Sequence, residues 1–235
     1  MIDNKNILAV IPARSGSKGV PGKNKRLLDG KPLFEHSVIE AKKSNYIDKL
    51  VVSTDDEEII NYCIKQDYDY IRRPEDLAQD GSSVVDALIH AHNNVKEFTP
   101  DIIVMLQPTT PFRKVKDIDR AIKTIIFEDC DSVVSVHEAP NHLNPHWVRK
   151  IKDGRLIPYL EEDDDNPHIM RQDLPSVYWR NGQIYIIKSK VLLEKKDLYG
   201  EVCMPYIMKK GYNVNIDEET DFLLAEKIVE EGLND

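Results

Sequence analysis

The chain has 235 residues, 41% hydrophobic and 31% charged, with a formal net charge of −9. That supplies one sizeable core, and the negative field disfavours nucleic acid and anionic membrane as partners. Cys63, Cys130 and Cys203 are far apart with no CxxC or His-Cys metal spacing, there is no signal-peptide apolar region before Pro12, and no run nears the roughly 20 apolar residues of a membrane helix, so a cytoplasmic protein with reduced thiols is expected.

Residues 7–11 (ILAVI) predict a buried first strand. Residues 11–25 (IPARSGSKGVPGKNK) follow it and set Arg14, Lys18, Lys23 and Lys25 among Gly16, Gly19 and Gly22. Glycines let main-chain N–H groups approach an anion, and clustered cations neutralise several negative charges, which suits a di- or triphosphate; a solvated basic loop is the plainer alternative. The cluster opposes the sign of the whole chain and so points to a small phosphorylated ligand. Two phosphate motifs are excluded. The Walker pattern would need glycine at Ser17 and Ser or Thr at Asn24, and the spacing of Gly16, Gly19 and Gly22 lacks the opening G-x-G of the dinucleotide fingerprint.

Pro32 opens a helical pattern (Leu33, His36, Ser37, Ala41), and KLVVSTD, ending at Asp55, predicts the second strand. Thr54 or Asp55 with Glu57 or Glu58 reads as the cap of a helix whose apolar face is Ile59, Ile60, Cys63 and Ile64. Residues 68–71 suggest a short third strand, RRPEDLAQDGSS a polar loop, and residues 83–95 a helix. The run 101–106 (DIIVML) has the character of a central parallel strand and is halted by the prolines of QPTTPFR. Ile118, Ala121, Ile122, Ile125 and Ile126 mark another helix, and residues 132–136 another strand. This alternation predicts an α/β doubly wound, mostly parallel Rossmann-like sheet, with ligands at the carboxyl ends of its strands.

From about 138 to 180 the rhythm breaks, which predicts an irregular insertion, either a small subdomain or a dimer arm. Its acidic run at 161–165 reads as a solvated loop rather than a DxD metal motif. Residues 183–187 (QIYII) resume the sheet, 212–216 predict a last strand, and 218–231 an amphipathic helix. One principal domain over 1–235 is expected.

IPARSGSKG and PGKN, VSTD, LQPTTPFR, RNGQIY and NIDEETD all fall near predicted strand ends, which such a sheet gathers on one rim. In this order, along nearly the whole chain, they resemble the acylneuraminate cytidylyltransferase family, which activates sialic acid and related nine-carbon acids. The resemblance implies a nucleotidyltransferase-type fold, a homodimer built through the 138–180 arm, and a requirement for Mg²⁺. It also implies transfer of CMP from CTP to the anomeric hydroxyl of a nonulosonic acid, of acylneuraminate or legionaminate type, with release of pyrophosphate.

By that resemblance Arg14, Lys18 and Lys23 hold the triphosphate and stabilise charge at the α-phosphate and leaving group, and Asn24 touches the nucleotide. Arg73 and Ser82 or Ser83 match ribose and base contacts, with helix capping as the serines' alternative role. Gln107 matches a residue that reaches the acceptor sugar, and Arg113 is expected to close its loop. Arg171 on the arm and Tyr185 match sugar-pocket residues, a core role being the alternative for Tyr185. Asp217 matches the metal-binding aspartate, and Asp221 reads as a first-turn helix charge.

Two departures stand out. The family often has a second acidic residue two positions before that aspartate, where this chain has Asn215. Trp147 and Trp179 stand where sialic-acid enzymes place further basic residues, which implies a pocket reshaped for a di-N-acetylated acid such as legionaminic acid, or else interface packing. The competing readings are a CMP-3-deoxy-octulosonate synthetase and a non-catalytic nucleotide-binding relative.

Overall fold

The structure, a computed structural model, describes residues 2–16, 19–160, 169–209, 211 and 214–233. Strand and helix alternate as the apolar periodicity dictates: β1 (Ile7–Pro12), a short hairpin of β2 (Leu27–Leu28) and β3 (Lys31–Pro32), α1 (Leu33–Lys42), β4 (Lys49–Thr54), α2 (Glu57–Gln66), β5 (Tyr70–Arg72), α3 (Val84–Asn94), β6 (Ile102–Met105), α4 (Val115–Phe127) and β7 (Ser132–Glu138). The remainder is β8 (Arg149–Lys152), β9 (Arg155–Pro158), β10 (Tyr178–Lys188), α5 (Ser189–Lys195), β11 (Cys203–Ile207) and α6 (Glu219–Glu230).

Seven strands form one sheet in the order β11-β7-β10-β6-β1-β4-β5. β1 lies parallel to both β4 and β6, with Val10 opposite Val51 and Met105, and only β10 runs antiparallel to its neighbours. Strand alternation splits the core in two. Ile7, Ala9, Ile11 and Val104 meet α1, α2 and α4 on one face, while Leu8, Val10, Ile103 and Met105 meet α3 and α5 on the other. Each such fully buried aliphatic side chain contributes roughly 1.5–3 kcal/mol.

A third cluster matters more for the site. Val20, Leu28 and Leu33, around the end of the basic loop, pack against Val214, Ile216 and the α6 residues Phe222, Ala225 and Ile228. The amino-terminal loop and the segment carrying Asp217, nearly two hundred positions apart, are thereby held face to face.

Several sequence expectations need correction. The cap of α2 is Asp56, whose carboxylate accepts from the N–H groups of Glu58 (2.8 Å) and Ile59 (3.4 Å); Thr54 and Asp55 are engaged elsewhere. The last strand expected at 212–216 does not form over its described part. Val214 and Ile216 insert into the third cluster, and the N–H of Ile216 donates to the Thr109 carbonyl at 2.8 Å. The edge is taken instead by β11, whose strand character is obscured in the sequence by Pro205, a residue an edge strand tolerates. The insertion contains regular structure in the β8–β9 hairpin, turned by Asp153 and Gly154 at φ 51° and 73°, the geometry an Asp-Gly pair favours. The acidic run at 161–165 lies outside the described residues. Among the described residues no helix is long and apolar enough to cross a membrane.

Candidate active site

The site is built at the carboxyl ends of β1, β4, β5 and β6. The β1–β4 ladder runs one step past the strand, the Ala13 N–H donating to the Ser53 carbonyl at 2.9 Å, so the basic loop leaves the sheet from a fixed point. Gly22 at φ 64° turns it into a short 3-10 segment, Lys23–Lys25. Asn24, 6% exposed, donates from Nδ2 to the Arg14 carbonyl at 2.8 Å and staples the two limbs of the loop together. Lys25 reaches Glu58 (2.7 Å) and Asp56 (3.2 Å), which hold its ammonium pKa above the usual lysine value, the Glu58 hydrogen bond most of all.

Opposite stands the segment before α6. Lys23 Nζ donates to the Ile216 carbonyl at 2.6 Å and lies 3.3 Å from Asp217 Oδ1. Gly19 is required here by contact: a Cβ at that position would fall 1.8 Å from the Asp217 carbonyl oxygen. Asp221 accepts from the N–H groups of Asp217 (2.9 Å) and Glu218 (2.8 Å), so it fixes the start of α6 as its place in the first turn suggests.

Arg73, 6% exposed, donates from Nη2 to the Ser53 carbonyl (2.9 Å) and from Nε to Ser53 Oγ (3.2 Å), and burial pushes its pKa down to about 10. Arg14 Nη1 meets the Ala78 carbonyl (3.2 Å) and Asp80 Oδ1 (3.0 Å). Ser83 caps α3 through the Val85 N–H at 3.1 Å, and Ser82 Oγ donates to the Asp76 carbonyl at 2.8 Å.

Gln107 follows β6, in a loop tied to β10 by Arg113. Gly182 at φ 75° lets that strand pass close, because a Cβ there would lie 3.1 Å from Gln107 Oε1. A register shift in the β10–β7 pairing, between Arg180 and Tyr185, marks the same stretch.

Arg14, Lys23, Asn24, Arg73, Ser82, Ser83, Gln107 and Asp217 all line one cleft of about 360 Å³, completed by Gly19, Pro108 and Thr109. Three cations converging beside an exposed carboxylate and a helix-capping loop form an arrangement suited to a polyphosphate with a hard cation. Lys18 lies outside the described residues. Arg171 is exposed in the short turn Arg171–Asp173, away from the cleft. Tyr185 does not line the cleft either. It sits opposite Met105 and packs half-buried against the α3/α5-side core, where desolvation pushes its hydroxyl pKa up.

The tryptophans also stay outside. Trp147 Nε1 donates to the Ile169 carbonyl at 3.0 Å, and Trp179 leans on the His137 ring at 5.9 Å. The sequence reading missed the Gly19–Asp217 contact, which only tertiary packing creates, and it missed Lys25 as the loop's anchor to α2.

A metal was expected at Asp217. Its carboxylate is 63% exposed, with Asn215 Nδ2 donating to Oδ2 at 2.5 Å. Among the described residues no group of three or more His, Cys, Asp or Glu side chains could hold an ion. One exposed carboxylate fits Mg²⁺, which takes few protein ligands and completes its shell with water and phosphate oxygens, and fits a cation that needs a protein cage poorly.

The cytidylyltransferase family profile matches residues 8–232. This chain belongs to the cytidylyltransferase family. It is 38% identical to the CMP-N,N'-diacetyllegionaminic acid synthase of Legionella pneumophila over 95% of its own length and 96% of that protein's. It is 33% identical to the N-acylneuraminate cytidylyltransferase of Streptococcus agalactiae over 92% of its own length, spanning about half (51%) of that longer protein. Among solved structures it resembles a CMP:2-keto-3-deoxy-manno-octonic acid synthetase complexed with CTP, at 18% identity, TM-score 0.74, 97% coverage of this chain and 100% of that one. At that identity the likeness establishes the fold alone, an α/β, mostly parallel Rossmann-like sheet.

Proposed function

We propose that this cytidylyltransferase transfers CMP from CTP to the anomeric hydroxyl of a nonulosonic acid, legionaminic acid in particular, and releases pyrophosphate as a cytoplasmic Mg²⁺-dependent homodimer. The observation that carries the reading is the single cleft uniting Arg14, Lys23 and Arg73 with Asp217 and Gln107. The 38% identity to a legionaminate enzyme, across nearly the whole of both chains, favours that acceptor over N-acetylneuraminate.

In this reading Arg14, Lys18 and Lys23 neutralise the triphosphate. They keep the α-phosphorus in place while the acceptor oxygen forms its bond and the bond to pyrophosphate breaks. Asn24, Arg73, Ser82 and Ser83 orient the nucleoside, and Gln107 faces the acceptor. Asp217, beside Asn215, would hold Mg²⁺, which would supply further positive charge for the phosphate oxygens.

The dimer is proposed from the insertion. Ile151 and Leu156 on the β8–β9 hairpin are 77% and 72% exposed, and Trp147, Tyr159, Met170, Tyr178 and Trp179, elsewhere in the insertion, are exposed as well. So much exposed apolar side chain within one insertion suits coverage by a second copy. Arg171, in the same insertion, then serves the sugar pocket of the partner's site. Light scattering is expected to give about twice the 27.0 kDa chain mass, and a monomer overturns this part.

Activity is tested by incubating the protein with CTP, Mg²⁺ and, separately, N,N'-diacetyllegionaminic, N-acetylneuraminic, pseudaminic and 3-deoxy-octulosonic acids. Pyrophosphate release is expected with the first above the others. Release only with the eight-carbon acid favours the octulosonate reading, and CTP binding with no turnover on any acceptor favours a non-catalytic relative.

A further inference from the structure

Arg14 and Arg73 project into the same cleft, where the Arg14 charge adds to the burial that disfavours the charged form of Arg73. Arg73 is nearly sealed from water, and its guanidinium donates to Ser53, a neutral partner. Arg14 is partly open to solvent and has Asp80 at 3.0 Å, but the buried Arg73 guanidinium needs an opposing charge of its own. Asp55 is the carboxylate whose field acts on Arg73. It stands at the end of β4, directly after the Ser53 and Thr54 carbonyls that hold the Arg73 side chain and N–H.

The same carboxylate grips the basic loop. Asp55 Oδ1 accepts from the Ser15 N–H at 2.9 Å, and Oδ2 accepts from the Ser15 hydroxyl. Ser15 follows Arg14 directly and precedes Gly16, so the grip sets the path of the loop where it leaves the sheet. Asp55 does not line the cleft.

We propose that Asp55 is a positioning residue for nucleotide binding: it orders the Ser15 turn of the basic loop next to Arg14 and supplies a counter-charge to the buried Arg73, so that both cations converge on one polyphosphate. This rests on the reading of the cleft as a CTP site. The sign of the effect separates it from simple field arithmetic. A carboxylate near a triphosphate repels it, so removing the charge would tighten binding if the field alone mattered, whereas loss of a positioning contact weakens binding.

The experiment measures CTP affinity by calorimetry, together with kcat, KM and melting temperature, for the parent and for Asp55→Asn, Asp55→Ala and Ser15→Ala. Asn keeps an acceptor for the Ser15 N–H and removes the charge. Asp55→Asn is expected to weaken CTP binding and raise its KM about tenfold, with kcat within about threefold and an unchanged melting temperature. Asp55→Ala, losing both contacts, is expected to cost about a further fivefold, and Ser15→Ala, which keeps the charge, only about threefold. CTP binding by Asp55→Asn that equals or exceeds the parent's overturns the inference, as does a loss confined to kcat. If Asp55→Ala fails to fold, the Asn and Ser15 variants still decide the matter. A parent that does not bind CTP removes the reading of the cleft itself, which is a separate result.

Discussion

Lys23→Ala is expected to lower kcat about 10²–10³-fold, the usual effect of removing one preorganised charge from a transition state. Lys23 is the cation held most tightly against the segment carrying Asp217: its side chain is only 14% exposed, and its Nζ is fixed by the Ile216 carbonyl. A donor anchored by the main chain needs little reorganisation when charge builds on a leaving group, so its loss falls mainly on kcat. The fold depends on it much less. Its ion-pair partner Asp217 is 63% exposed, and an ion pair open to solvent on one side contributes at most about 1 kcal/mol. Pyrophosphate release measured beside a thermal melt checks both statements. A variant retaining a tenth of parent turnover removes Lys23 from the chemistry, and one that fails to melt cooperatively makes it a structural tether.

Much of this site was legible because its parts are short polar signals at the ends of apolar runs. β1, β4, β6 and β7 announce themselves as near-continuous hydrophobic stretches, and a sheet buried on both faces requires that. Once four strands are parallel, their carboxyl ends share a rim, and the loops carrying Arg14, Arg73 and Gln107 follow. What stayed hidden depends on contacts between distant segments. That Gly19 must lack a side chain is decided by the Asp217 carbonyl, and no local pattern encodes it. For Tyr185 the sequence left a pocket role and a core role open, and strand alternation gives it the face of Ile187 and sends Ile184 and Ile186 to the other, which packs it against the core. Asp55 looked like a helix cap because an acidic residue before Glu57 and Glu58 fits that pattern, yet the neighbouring Asp56 takes the cap and leaves Asp55 for the loop.

Arg113→Met is expected to destabilise the protein by about 3–5 kcal/mol, on the order of 10 °C in melting temperature for a chain of this size. Arg113 is 1% exposed, and burial pushes its guanidinium pKa down to about 9. The cost of desolvating that cation is offset by four bonds: Nε to the Gln183 carbonyl (2.8 Å), Nη1 to Ser37 Oγ (2.7 Å), and Nη2 to the Gln107 carbonyl and Thr110 Oγ1 (2.7 Å each). These join α1, the Gln107 loop and β10 at one point. Methionine fills much of the volume and removes the buried charge, but it takes away the short bonds to the Gln183 and Gln107 carbonyls, and Gln107 keeps only the longer ones from Thr110 and Ser37, so the loss is on the order of 1–3 kcal/mol per weakened carbonyl. The serine and threonine hydroxyls can turn to other acceptors, so they add little. Arg113→Lys separates stability from function. A single ammonium on a different stem cannot reach all four acceptors, and the slack falls on the Gln107 loop while the cations of the CTP half keep their own anchors. The expected signature is a KM for the acceptor raised about tenfold with the KM for CTP near the parent's. Equal losses for both substrates would mean that Arg113 supports the whole rim, and a Met variant melting with the parent would mean that the buried charge costs as much as its four bonds contribute.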